Sequence, residues 1–160
     1  MRRKFGFLLL LLFFVCIACN PSLPSKETMG KNASFSSAKL ELYSVSIDVP
    51  KQVKLNEVFT IKASLLNLGD NQIMIRHAAR IFYFSIKNSN GKQVNTFGMK
   101  GVGEISTLKI QEPATEDYNY KLDTSGYYEV SAIAKFTIGE GENLKEYEFE
   151  TNRSVIEVIP

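Results

Sequence analysis

The 160-residue chain contains only two cysteines, Cys16 and Cys19, both within its first 19 residues. No disulfide can therefore staple the rest of the chain, and neither a thiol nucleophile nor a thiolate metal ligand is available there. Histidine is scarcer still. His77 is the only one, and Arg76 and Arg80 stand beside it. A metal centre needs several convergent ligands, and nearby cations work against one. A serine nucleophile lacks its Gly-x-Ser-x-Gly elbow, and calcium lacks an EF-hand spacing. Gly101-Val102-Gly103 is too isolated to act as a phosphate loop. These absences predict a protein with no metal, no cofactor and no catalytic constellation, since nothing unites an acid, a base and a nucleophile.

A charge of one sign is missing as well. The formal net charge is +2, from 19 basic and 17 acidic side chains. Three of the basic residues are Arg2, Arg3 and Lys4; without them 16 basic face 17 acidic groups, a charge of −1. No positive field remains to recruit nucleic acid, and no basic-aromatic interleaving reads it.

What is present begins with the leader. Arg2-Arg3-Lys4 precedes Phe5–Ala18, an unbroken run of apolar residues and glycine. The run is shorter than the ~20 residues that a helix needs to cross the ~30 Å of bilayer hydrocarbon, and it suits the apolar region of a signal peptide. Cys16-Ile17-Ala18-Cys19 follows, and the chain turns polar at Asn20. A small residue before a cysteine in this setting resembles the bacterial lipobox. That resemblance implies a signal peptide over 1–18, a diacylglyceryl group on the Cys19 sulfur, and an extracytoplasmic domain anchored to the bacterial cell membrane. Two or more acyl chains hold a protein on a bilayer stably, where one does not. Residues 19–38, rich in Ser, Pro, Lys and Asn, read as a flexible linker spanning roughly 25 Å as a coil.

Residues 39–160 alternate apolar and polar side chains with the two-residue period of half-buried strands. The clearest stretch is Ile81–Phe97, a strand-turn-strand unit around which the other segments are expected to pack. Phe82, Phe84 and Ile86 share one face, and Asn90-Gly91 supplies the turn. Tyr43 to Val49, Phe59 to Leu65, Tyr118 to Leu122 and Tyr128 to Phe136 repeat the rhythm. Pro50 ends the first of these, and Val53 and Leu55 form a short crossing segment. Seven to nine strands without helical periodicity predict an all-β, antiparallel immunoglobulin-like sandwich.

Leu122-Asp123-x-x-Gly126-x-Tyr128-x-Val130 resembles a tyrosine corner, which implies a buried Tyr128 ring with its hydroxyl bonded to nearby backbone. Residues 57–138 resemble the BsuPI-type intracellular proteinase inhibitor domain. The likeness is carried by Tyr83-Phe84-x-Ile86, Asn90-Gly91-Lys92-x-Val94, Phe97 and Gly126-Tyr127-Tyr128-x-Val130-x-Ala132. It implies an immunoglobulin-like sandwich and, as one function, proteinase inhibition.

In such a topology the loops Asn67–Asn71 and Gly139–Asn143 meet at one end. Asp70, Asn71, Glu140, Glu142 and Asn143 would then form a polar, acidic contact face for a protein or cell-envelope partner. Glu146, Glu148 and Glu150 alternate with Tyr147 and Phe149 and are expected to lie on a solvated outer face.

Overall fold

The computed structural model describes residues 42–98, 101 and 103–160. The expected signal peptide over 1–18, Cys19 and the expected linker over 19–38 lie outside the described residues. Ten strand segments follow one another: β1 (Tyr43–Asp48), β2 (Gln52–Lys54), β3 (Val58–Asn67), β4 (Ile73–His77), β5 (Phe82–Asn88), β6 (Glu104–Leu108), β7 (Ala114–Lys121), β8 (Gly126–Ile138), β9 (Lys145–Glu150) and β10 (Ser154–Ile159). A single 3-10 turn, Gly141–Asn143, interrupts them.

The segments form two sheets. One is β1-β3-β7, antiparallel throughout. The other runs β2-β10-β8-β4-β6, with β5 and β9 also paired to β8. β4 and β5 lie end to end along one edge of β8, through Arg76↔Thr137 and then Phe82↔Ala134. β9 and β10 do the same along its other edge. Each pair is one strand broken by a bulge, so the ten segments occupy eight strand positions. With β2 parallel to β10 and the two sheets face to face, this is an immunoglobulin-like β-sandwich.

The centre of the fold is β8 rather than the Ile81–Phe97 unit. Its 13 residues alternate Tyr128, Val130, Ala132, Ala134 and Phe136 into the core, and four segments pair with it. The second arm of the Ile81–Phe97 unit is not a strand. Only the Lys87↔Gln93 bridge forms beyond the turn. Past it, the buried Asn95 side chain takes the place of a strand rung. Its amide accepts from Ile86 N–H at 2.7 Å and donates to the Phe84 carbonyl at 3.0 Å. One amide thus reproduces both hydrogen bonds of a backbone neighbour, which lets the chain turn away without leaving β5 unsatisfied.

Side chains also hold the bulges. Glu116 of β7 accepts from Ile81 and Phe82 N–H where β4 gives way to β5. Thr151 accepts from Ala132 N–H between β9 and β10. Small Ala63, Ala132 and Ala134 are buried in the middle of the core. Aromatic rings gather in two groups. Tyr43 joins Phe136, Tyr147 and Phe149. Phe84 stacks on Tyr118 at 5.0 Å, with Phe97 and Tyr120 alongside.

Candidate functional site

The two ends of the sandwich carry different chemistry. At one end the chain leaves β3 and enters β4, and leaves β8 and enters β9. β4 and β8 are antiparallel neighbours, so the loops 68–72 and 139–144 emerge together. An Arg76–Glu140 ion pair at 2.7 Å fastens the second loop to β4. β1 begins at this end too, with Tyr43 opposite Asn67.

The first loop is stiffened from within. Asn67 is fully buried, donating to the carbonyls of Asn71 at 2.8 Å and Leu108 at 3.3 Å, while its Oδ1 accepts from Gly69 N–H at 3.0 Å. An asparagine is suited to this because one amide both donates and accepts. The second loop depends on Gly139, whose φ of 95° belongs to glycine. A Cβ there would come within 2.5 Å of the Asn143 carbonyl oxygen. Asn143 N–H closes the turn on the Glu140 carbonyl at 3.1 Å.

Asp70, Asn71, Glu140, Glu142 and Asn143 are all exposed at this end. Glu140 is engaged by Arg76, whereas Asp70 and Glu142 make no ion pair among the described residues. The end is less uniformly polar than its sequence suggests, because Leu68 and Leu144 are exposed on the same loops. Asn67 and Gly139 escape sequence reading as site-builders, although both stand where a strand pattern stops. Beneath the loops, burial pushes the Tyr43 hydroxyl up to about 12, with Tyr147 adding to the shift.

The opposite end contains the turn 122–126. Tyr128 is buried there, and its hydroxyl donates to the Thr124 carbonyl at 2.9 Å, the geometry of a tyrosine corner. A groove of about 490 Å³ opens beside it, between Pro50, Gln52, Val53 and Lys54 on one side and Glu57, Val58, Phe59 and Thr60 on the other.

Some of the other charges are paired. Glu148 meets Lys135 at 2.8 Å, and Glu150 meets Arg153 at 2.9 Å, on the outer face opposite buried Phe149. His77 bonds the Ala78 carbonyl through Nδ1 and the Ser106 hydroxyl through Nε2, so both ring nitrogens are occupied. Among the described residues no group of three or more His, Cys, Asp or Glu side chains is placed to hold a metal ion.

No family model and no curated protein sequence matches the chain. Solved structures do. The CARDB domain of the PF1109 protein from Pyrococcus furiosus, solved in complex with di-metal ions, is 19% identical over 73% of this chain and 87% of that one, with a TM-score of 0.42. The putative ApaA protein from Bordetella pertussis is 17% identical over 72% and 93%, with a TM-score of 0.47. A β-glucosidase from Listeria innocua is 15% identical over 72% of this chain but only 16% of its own length, at 0.38. Similarity at this level does not extend to ligand or activity.

Proposed function

We propose that the protein is a lipid-anchored, extracytoplasmic binding module without catalytic activity, whose contact face is the pair of loops 68–72 and 139–144. The observation that carries this reading is a pair of exposed carboxylates on loops braced from within. Asp70 and Glu142 make no ion pair among the described residues, and their loops are held in shape by Asn67 and Gly139. Polar groups fixed in advance bind at lower entropic cost than mobile ones. Exposed Leu68 and Leu144 supply the apolar contact that a charged rim alone lacks. The partner in this reading is a protein or cell-envelope component with cationic groups to meet the two carboxylates.

The test is cross-linking and pull-down from intact cells with the full chain. Asp70→Lys combined with Glu142→Lys should abolish capture of the partner while leaving Tm nearly unchanged, because neither carboxylate supports the fold. Undiminished capture removes the loop face from consideration. Cys19→Ser should release the chain from the membrane fraction, and its retention there would remove the anchor.

Proteinase inhibition of the BsuPI type is the second reading. One observation favours it: the exposed turn after β5 is held rigid by Asn88, whose Oδ1 accepts from both Asn90 and Lys92 N–H. A stiff convex loop is what a substrate-like inhibitor presents. Stoichiometric inhibition in a panel of serine proteinases would support it, and inertness across the panel would discard it.

A further inference from the structure

The groove at the far end is bordered by a strand edge that has lost its partner. β1 pairs with β3 only as far as Asp48↔Lys62. The chain then passes through Pro50 and joins the other sheet as β2 beside β10. β3 continues for four more residues, Val58–Ile61, with β7 on one side and the groove on the other.

Two observations settle which backbone groups face the groove. Leu68 N–H donates to the Leu42 carbonyl at 2.9 Å, so even-numbered positions of β3 turn their amides toward β1. In agreement, the Ile47 N–H and carbonyl opposite Ala63 are taken by the Asn152 side chain, on the side away from β3. The same alternation points the N–H and C=O of Val58 and Thr60 into the groove. Among the described residues no turn or loop hydrogen bond occupies them. Proline accounts for the vacancy. A continuing β1 would place residue 50 opposite Thr60, and Pro50 has no N–H to donate.

We propose that this groove binds an extended peptide segment of a partner protein by strand addition to the Val58–Ile61 edge of β3. The backbone rungs at Val58 and Thr60 would be completed by the incoming chain, in line with where β1 departs. Val53, Phe59 and Ile159 line an apolar floor for alternate side chains of the guest. The volume of about 490 Å³ falls within the ~300–1,000 Å³ of typical ligand clefts. The rim carries one charge of each sign, Lys54 and Glu57, and neither makes an ion pair among the described residues. Charge complementarity therefore selects a segment with alternating apolar residues, an acidic residue to meet Lys54 and a basic one to meet Glu57. This inference is independent of the loop face and of the lipid anchor.

The test uses the full chain in detergent micelles. The probe is a labelled, end-blocked heptapeptide alternating valine with threonine, with glutamate and lysine two residues apart near one end, because Lys54 and Glu57 flank one turn. Saturable binding is expected by fluorescence anisotropy, with new hydrogen-exchange protection of the Val58 and Thr60 amides. Val58→Pro removes a groove-facing N–H and leaves the β7 ladder intact; it should weaken binding at least about tenfold by deleting a rung and obstructing the edge. Lys54→Glu should weaken the same peptide and regain affinity for one carrying lysine in place of glutamate, a rescue that a misfolded variant cannot give. The proposal fails if the peptide shows no binding up to about 1 mM, or if Val58→Pro binds it unchanged. It also fails if the Val58 and Thr60 amides are already protected without peptide, whether independently of concentration, by the chain's own N-terminal segment, or with rising concentration, by a second copy.

Discussion

The two ends of the sandwich solve the problem of strand termination in opposite ways. At the loop end side chains brace the loops where β3 and β8 stop. Asn67 satisfies Gly69, Asn71 and Leu108, and Glu140 reaches back to Arg76. At the groove end β1 departs, and among the described residues nothing takes its place beside Val58 and Thr60. The first end thus presents side chains on stiff loops, and the second presents a strand edge. Side chains can be specific for a shaped, charged surface, whereas an edge recognises any chain that can extend beside it and leaves selectivity to the pockets and rim. Exposed edges are ordinarily protected, by proline or by charge. Here Pro50 ends the neighbouring strand while β3 itself runs on unguarded, which marks the groove end as unusual.

Three changes would break or sharpen this comparison. Asn67→Ala carries the largest expected effect. It removes three hydrogen bonds from a fully buried site and strands their partners, costing about 2–3 kcal/mol by chemical denaturation. Partner capture at the loop end should be lost, while peptide binding at the groove persists. Loss of both together would mean that the ends are not independent.

Next is the alkaline limb of stability. The Tyr43 hydroxyl is held up to about 12 by burial, above its ordinary 10.0 in the unfolded chain. A raised value means that the folded protein keeps its proton more tightly. The associated stability is complete below pH 10 and is lost as pH climbs toward 12. The loss should be on the order of 2 kcal/mol, and Tyr43→Phe should flatten that limb. A limb of the same slope in the variant would assign it to other groups, such as Tyr120, whose hydroxyl is also raised by burial.

The smallest effect belongs to Tyr128→Phe at the groove end. It deletes the single bond to Thr124 and keeps the ring, so about 1 kcal/mol is expected, with capture by the loops unaltered. A cost as large as that of Asn67→Ala would show that the corner braces far more than its own turn.

Several features of this architecture are legible along the chain. The alternation in Tyr128 to Phe136 and in Phe59 to Leu65 marks both strands and their buried faces, because side-chain direction in a strand depends only on residue parity. Pro50 marks a strand end, and Asn90-Gly91 marks a turn, since each acts on its own backbone. The arm after that turn reads as the second strand of a hairpin, yet Asn95 replaces the ladder with its side chain. Nothing in local sequence distinguishes an asparagine that bonds a neighbouring strand from one that faces water. Glu116 is missed for the same reason, because its partners, Ile81 and Phe82, lie more than thirty residues away.

By itself, then, the amino-acid order determined an all-β body free of disulfides, the faces of its strands and the positions of most turns. These are outcomes of parity, composition and backbone stereochemistry, each acting over a few residues. Tertiary structure alone decided that β8 rather than β5 is the hub, that Asn67 braces one end, and that Val58 and Thr60 are left bare at the other. Those features depend on which strands share a ladder and where one departs, and pairing energy between segments distant in sequence is not written in either segment alone.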